Sequence, residues 1–330
     1  MNDNFQSTIL KSTGASSLYK IKKIQDLWSS YGEIVRYGLR GTDRESVVVK
    51  HIRFPDKTRQ PKGWNTGISH KRKLKSYRVE MDWYRNWSTR CDDSCRVPEF
   101  IAGEFHEDEI IIILEDLDSI GYSKRKSSIN WEGMKPCIAW LANFHATYMS
   151  ERPGGLWRTG TYWHLETRPD ELKVLSDKPL KQAAKAIKSI LRRSPFQTFV
   201  HGDAKLANFC FSPKGREVST VDFQYVGGGC GMKDLAYFAG SCLYEDECER
   251  MESHILDFYF QNLNKALKQK QKEINFKELE ENWRKLYYFA WADFLRFMKG
   301  WAPGYWKKTS YSERIAERVI NQINKGENPN

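Results

Sequence analysis

In the first third of the chain the apolar positions fall in short blocks of strand length. Gly32 to Leu39 (GEIVRYGL) and Ser46 to Phe54 (SVVVKHIRF) read as two strands, joined as a hairpin by the polar stretch Arg40-Gly41-Thr42-Asp43-Arg44. A third strand is expected over Glu109 to Leu114 (EIIIIL), after a polar turn at His106-Glu107-Asp108. Between them, Gln60 to Thr66 reads as a loop and Ser69 to Trp87 as a helix. From Trp131 onward the period changes. Ile138, Leu141, His145 and Tyr148 recur at three- and four-residue spacing, the mark of one buried helical face. Further helices are expected over Lys178 to Arg193, Met251 to Gln271 and Phe276 to Lys299. Gln197 to Phe223 stands apart as two short strand-like pieces around a polar loop. A sheet-rich part followed by a helix-rich part predicts an α+β protein of two lobes, with its boundary near Asp116–Gly121.

Composition narrows the class without naming a function. The chain has 330 residues, 40% hydrophobic and 14% aromatic, enough for a sizeable core and against wholesale disorder. Seven cysteines without a CxxC pair make neither a disulfide framework nor a zinc ribbon, and predict a reduced, cytoplasmic protein. The N-terminal MNDNFQSTIL lacks the basic and apolar regions of a secretory signal. Phe289 to Trp301 is interrupted by Asp293, Arg296 and Lys299, and no run approaches the roughly 20 apolar residues of a membrane span. Lys plus Arg is 53 and Asp plus Glu is 42, a formal charge of +11 that leaves nucleic acid, an anionic membrane surface or a phosphorylated small molecule as partners.

The chemistry concentrates in FVHGDAKLANFCFSPKGREVSTVDFQY, Phe199 to Tyr225. Asp203, in His201-Gly202-Asp203, is followed five residues later by Asn208, and Asp222 stands between Val221 and Phe223. One carboxylate is suited to accept a hydroxyl proton. An amide and a second carboxylate provide the hard oxygen ligands that Mg²⁺ prefers. Positioning and charge neutralisation of this kind are what phosphoryl transfer demands.

HGDxxxxN followed by DFQ resembles the aminoglycoside phosphotransferase and choline kinase superfamily, whose fold is protein-kinase-like. The continuation VDFQYVGGGCGMKDLAYF is most similar to its ecdysteroid-kinase-like branch. The resemblance implies a bilobal kinase-like fold: a small antiparallel-sheet N-lobe over 1–117 that binds nucleotide, and a larger, mainly helical C-lobe over 118–330. It implies ATP and Mg²⁺ as cofactors, with Asp203 as catalytic base and Asn208 and Asp222 as metal ligands. His201 and Gly202 would shape the catalytic loop, and Asp234 would tie a helix start back to it.

The same resemblance assigns residues elsewhere. Lys50 ends VVVK as the lysine ends the VAIK strand of protein kinases, and Glu80, on the following helix, would pair with it over the nucleotide phosphates. Glu115, Asp116 and Leu117 follow the EIIIIL strand and would form the hinge that meets the adenine. No GxGxxG precedes the lysine strand, so the phosphate loop falls on Ser29 and Ser30, within Ser29-Ser30-Tyr31-Gly32.

Only 12 residues separate Asp222 from Asp234, and Gly227, Gly228, Gly229 and Gly231 make a short turn into the DLAYF helix. Little platform remains for a peptide, so a small-molecule hydroxyl acceptor is expected, bulky or sterol-like in keeping with the aromatic content. The competing readings are a catalytically silent nucleotide-binding or scaffold protein on the same fold and, behind it, a basic nucleic-acid-binding protein. Trp283, Tyr287, Trp291, Phe294 and Trp301 follow helical spacing and are expected mainly in the core. His145 reads as a satisfied core histidine, whereas His164 (GTYWHLETRP) sits in an aromatic-rich loop where a pocket role is open. The runs His70–Lys75 and Lys265–Lys272 read as solvated helix faces.

Overall fold

The structure is a computed structural model that describes residues 3–27, 31–54, 67–106, 109–302, 310–327 and 329. Helix α1 (Asp3–Thr13) precedes an antiparallel sheet built from β1 (Ser17–Asp26), β2 (Gly32–Arg40) and β3 (Ser46–Arg53), with helix α2 (Gly67–Asn86) inserted before β4 (Phe100–Phe105) and β5 (Glu109–Glu115). The strand order is β1-β2-β3-β5-β4, and every neighbouring pair is antiparallel. The expected hairpin and EIIIIL strand are therefore central strands of this sheet. Alternation decides what each face carries. Val47 and Val49 of β3, with Ile111 and Ile113 of β5, face α1 and pack on Phe5 and Ile9. Lys50, opposite Ile112 in the register, lies on the other face with Ile52, Ile110 and Leu114, toward α2 and the helical half.

The helical half comprises α3 (Trp131–Thr147), α4 (Pro169–Val174), α5 (Lys178–Arg193), α6 (Met232–Cys242), α7 (Glu245–Gln269), α8 (Phe276–Trp301) and α9 (Tyr311–Asn324). Starts are capped as the sequence allows: the side chains of Asn130, Asp177 and Asn275 accept the amides of Gly133, Leu180 and Glu278. Between α5 and α6 lie four three-residue strands, β6 (Thr198–Val200), β7 (Phe209–Phe211), β8 (Val218–Thr220) and β9 (Gly227–Gly229). They pair as β6–β9 and β7–β8, both antiparallel. A continuous apolar core joins α2 and the inner face of β5 to α3, α7 and α8.

Three expectations need adjustment. Trp301 is exposed, stacked on Phe297, because it ends α8 beyond the packed stretch; Trp283, Tyr287 and Trp291 are buried as expected. The run at His70–Lys75 is not simply a solvated face. Arg72 donates to Thr167 O over 2.6 Å, and the Lys75 ammonium lies 4.4 Å from the Trp157 ring centroid, so this end of α2 meets the loop after α3. In Lys265–Lys272, Lys270 pairs with Asp92 and Lys272 with Glu151. The expected loop at Gln60–Thr66 lies outside the described residues. No helix among the described residues is long and apolar enough to cross a membrane.

Candidate active site

The short strands make a frame for two loops. β6 ends at Val200 and releases His201-Gly202-Asp203, β7 begins at Phe209 just after Asn208, and β8 ends two residues before Asp222. Gly202 has φ +81°, and a Cβ there would lie 2.1 Å from Tyr225 O, so the turn that presents Asp203 requires glycine. Asp234, at the start of α6, accepts the amides of His201 (2.5 Å) and Gly202 (3.0 Å) and tethers the loop from behind. Asp234 is oriented in turn by His145 Nε2 at 3.2 Å, while His145 Nδ1 meets the Tyr259 hydroxyl at 2.7 Å.

His201 clasps the two loops together. Burial pulls its pKa down, against the pull of Asp234 and Asp203, and keeps the ring neutral. Its Nδ1 accepts the Asp203 amide at 3.3 Å, which leaves Nε2 to donate to Val221 O at 3.1 Å. The loop carrying Asp203 is thus held against the residue preceding Asp222.

Asp203 is buried and accepts from three side chains: the Tyr237 hydroxyl on Oδ1 (3.2 Å), and Lys205 Nζ (2.9 Å) and Asn208 Nδ2 (3.1 Å) on Oδ2. Burial raises its pKa, and the Lys205 ammonium opposes that shift. Asn208 also donates to Asp203 O at 2.7 Å, which fixes the amide so that its Oδ1 has no donor among the described residues.

Asp222 adopts φ 72°, a left-handed conformation that Asp tolerates better than most residues. Its Oδ1 accepts Lys50 Nζ (3.2 Å) and Gln224 Nε2 (2.7 Å), whereas Oδ2 has no donor among the described residues. Burial would raise the carboxyl, but the ammoniums of Lys50, Lys205 and Lys73 hold it down at about 2. An ionised carboxylate oxygen and an amide oxygen, both unpartnered and on adjoining loops, are a donor set that fits Mg²⁺, which completes its shell with water and phosphate oxygens. Among the described residues there is no cluster of three or more His, Cys, Asp or Glu side chains that would cage a metal by protein ligands alone.

Lys50 reaches this group from the sheet. Its Nζ lies 2.6 Å from Glu80 Oε2 on α2, so the pairing expected from the sequence is present, and both side chains are buried. Burial lowers the pKa of Lys50, but Glu80 and Asp222 outweigh it and hold it above its ordinary value. Burial raises that of Glu80, against Lys50. Lys73, two turns before Glu80 on the same side of α2, has an ammonium 5.4 Å from the Tyr77 ring centroid and a pKa lowered by burial to about 8.

The remaining expected residues are placed differently. The Glu115 carboxylate takes Arg96 and the Glu99 amide, and that of Asp116 takes Arg36, Ser46 Oγ and the Asp118 amide. With Leu117 also buried, what this segment can offer a ligand is main chain rather than side chain. Ser29 and Ser30 lie outside the described residues. Lys205 and Tyr237 were missed from the sequence, although Lys205 sits inside the HGDxxxxN spacing and Tyr237 is one helical turn beyond Asp234. Beside Tyr237, the rings of Tyr162, Trp163, Phe294 and Phe297 form an aromatic cluster.

No curated protein is a significant sequence match. Among solved structures, the chain is similar to a microcompartment-associated aminopropanol kinase, at 12% identity over 99% of both chains with a TM-score of 0.51. It is also similar to a Plasmodium vivax ethanolamine kinase, at 13% identity over 94% of this chain and 84% of that one with a TM-score of 0.49. A Streptomyces rimosus aminoglycoside phosphotransferase solved with ADP and streptomycin matches at 11% identity over 80% of this chain and 95% of that one, with a TM-score of 0.45. The match to the aminopropanol kinase gives the fold as kinase-like. Residues 159–272, the part of the chain that carries Asp203, Asn208, Asp222 and Asp234, match the model of the ecdysteroid kinase-like family.

Proposed function

We propose that this chain is an ATP- and Mg²⁺-dependent phosphotransferase that moves the γ-phosphoryl group to a hydroxyl of a small molecule. The observation that carries the reading is Lys50, from the sheet, lying 3.2 Å from Asp222, from the helical half, while Glu80 holds it from behind. Segments 1–117 and 118–330 divide the work into nucleotide binding and acceptor chemistry.

Mg²⁺, when bound, neutralises phosphate charge, and Asn208 Oδ1 and Asp222 Oδ2 are the protein oxygens that would hold it. Lys50 sets an ammonium against the nucleotide phosphates, and the main chain of Glu115–Leu117 meets the base. Ser29 and Ser30 belong to the segment assigned to phosphate contact. Asp203 accepts the acceptor's hydroxyl proton; the oxygen bonds to the γ-phosphorus as the bond to the β,γ-bridging oxygen breaks, and ADP leaves. Lys205, 2.9 Å from Asp203, opposes the rise that burial imposes on that carboxyl's pKa. The aromatic cluster beside Tyr237 suits an acceptor with a bulky apolar body, such as a sterol-like alcohol.

The test is transfer of labelled γ-phosphate to a panel of hydroxylated small molecules, with hydrolysis as control. Transfer to at least one acceptor that disappears in Asp203→Ala is the expected result. Mg²⁺-nucleotide binding without transfer to any acceptor would point to a catalytically silent member of the fold. Absence of both would overturn the reading.

A further inference from the structure

A second polar site lies away from these residues. Between the loop that follows α3, α5, α6 and α8 is a cavity of about 60 Å³, with room for several water molecules. Arg158, His164, Lys188, Arg192, Lys233 and Asp293 are among its lining residues, and none of Lys50, Asp203, Asn208 or Asp222 is.

The charges around it do not balance. Asp293 is engaged by Arg296 at 3.1 Å, and Lys188 by Glu166. For Arg158, Arg192 and Lys233, no carboxylate lies within ion-pairing distance among the described residues. Lys233 is buried, 4% exposed, and donates to Gly160 O at 3.2 Å, which occupies one of its three protons. Withdrawing an ammonium from water is costly, and burial pulls its pKa below the ordinary value although the charges of Asp293 and Asp234 oppose the shift.

His164 adds an independent observation. It is 4% exposed, and its Nδ1 accepts the Glu166 amide at 3.3 Å. Burial, followed by the Lys233 ammonium, pulls its pKa down to about 4, so the ring is neutral and Nε2 carries the proton. That Nε2–H has no acceptor; Glu166 Oε2 is 3.9 Å away, beyond hydrogen-bond distance. Arg158, Arg192, Lys233 and the Nε2–H of His164 thus line the cavity as donors without a hydrogen-bonded carboxylate among the described residues, and Asp293 is the acidic group on its wall.

We infer that this cavity binds a tetrahedral oxyanion, either inorganic phosphate or the phosphate group of a small ester. Lys233 and the Nε2–H of His164 meet the anion inside, and Arg158 and Arg192, both exposed, close on it from the surface. Charge-assisted bonds of this kind are the strong ones, and guanidinium forks match phosphate geometry. The approach is also favourable, since the adjoining surface depression is lined by Lys185, Lys188, Arg192 and Arg193.

The test uses the full chain, with calorimetry and thermal unfolding in phosphate against chloride at equal ionic strength. Saturable phosphate binding and a rise in Tm are expected. Arg158→Gln/Arg192→Gln changes two exposed side chains and should keep the fold while weakening phosphate about tenfold or more. Lys233→Met should abolish binding, and Lys50→Met, which alters the nucleotide cleft, should leave it unchanged. Tighter binding of phosphate than of glycerol 3-phosphate identifies a free-anion site, and the reverse order an ester site; either supports the inference. Absence of saturable binding, equal binding by the Arg158→Gln/Arg192→Gln protein, or loss in Lys50→Met protein that is still folded would overturn it.

Discussion

The phenol of Tyr237 donates to Asp203 Oδ1 over 3.2 Å, from a helix whose first turn also supplies Asp234, the acceptor of the His201 and Gly202 amides. α6 therefore both holds the loop and adds a hydrogen bond to its carboxylate. The phenol is kept protonated, since burial raises its pKa and the Asp203 charge adds to the effect. Two other donors, Lys205 and Asn208, occupy Oδ2. These donors work against the rise that burial imposes on the Asp203 pKa.

Tyr237→Phe removes one of these donors and keeps the ring. Losing a hydrogen bond to the charged form raises the Asp203 pKa, so the acid limb of the kcat/KM profile should move to higher pH. A hydrogen bond to a charged group is worth about 1.5–3 kcal/mol, equivalent to a shift of roughly one to two pH units. A limb that stays in place would show that this phenol does not tune the base.

Asp203→Ala should reduce phosphoryl transfer by about 10²–10⁴-fold, the usual contribution of a positioned base. Mg²⁺-ATP binding should survive, because Lys50, Asn208 and Asp222 are untouched. Single-turnover transfer and equilibrium nucleotide binding separate the two effects. An active variant would remove Asp203 from the reaction.

The arrangement was legible in the sequence where chemistry and spacing coincide. Asp203, Asn208 and Asp222 are close in the chain because short strands carry them to one place, so linear spacing was enough. Lys50 was readable from its place at the end of VVVK, and period two accounts for why it faces away from α1. α1 itself was missed: its apolar content is mainly Phe5 and Ile9, one turn apart, and its burial comes from the sheet it covers. β1 was hidden by its lysines, which an exposed edge strand accommodates. Glu115 and Asp116 show the opposite limit. Their position after a strand marked a hinge, but only three-dimensional contacts reveal that Arg96 and Arg36 already engage their carboxylates.

Lys50→Met should expose the cost of the buried pair. With the ammonium gone, Glu80 remains buried with its pKa raised, and removal of one partner of such a pair costs about 3–5 kcal/mol. The sign of the pH dependence follows from the direction of that shift. A carboxyl whose folded pKa exceeds its unfolded value stabilises the fold below the unfolded pKa, and the contribution is lost as pH rises through the folded one. Denaturant unfolding of Lys50→Met should therefore show stability falling from acid toward neutral pH. Glu80→Gln in the same background should flatten the dependence. A pH-independent loss would mean that Glu80 is satisfied by another group.

Asp222→Ala addresses the metal. In the native chain Oδ1 is shared by Lys50 and Gln224, and Oδ2 is the carboxylate oxygen without a donor among the described residues. The three lysines that hold its pKa at about 2 ensure that it is ionised at any pH where the protein would work. Substitution removes the negative charge and the oxygen together. Asn208 Oδ1 would be the one unpartnered protein oxygen left from the pair, too little to bind a divalent cation that demands near-octahedral oxygen coordination. Nucleotide should still bind through Lys50 and the main chain of Glu115–Leu117, but its affinity should no longer change with Mg²⁺. Titrating ATP at a series of Mg²⁺ concentrations checks this directly, and an unchanged Mg²⁺ response would place the metal elsewhere.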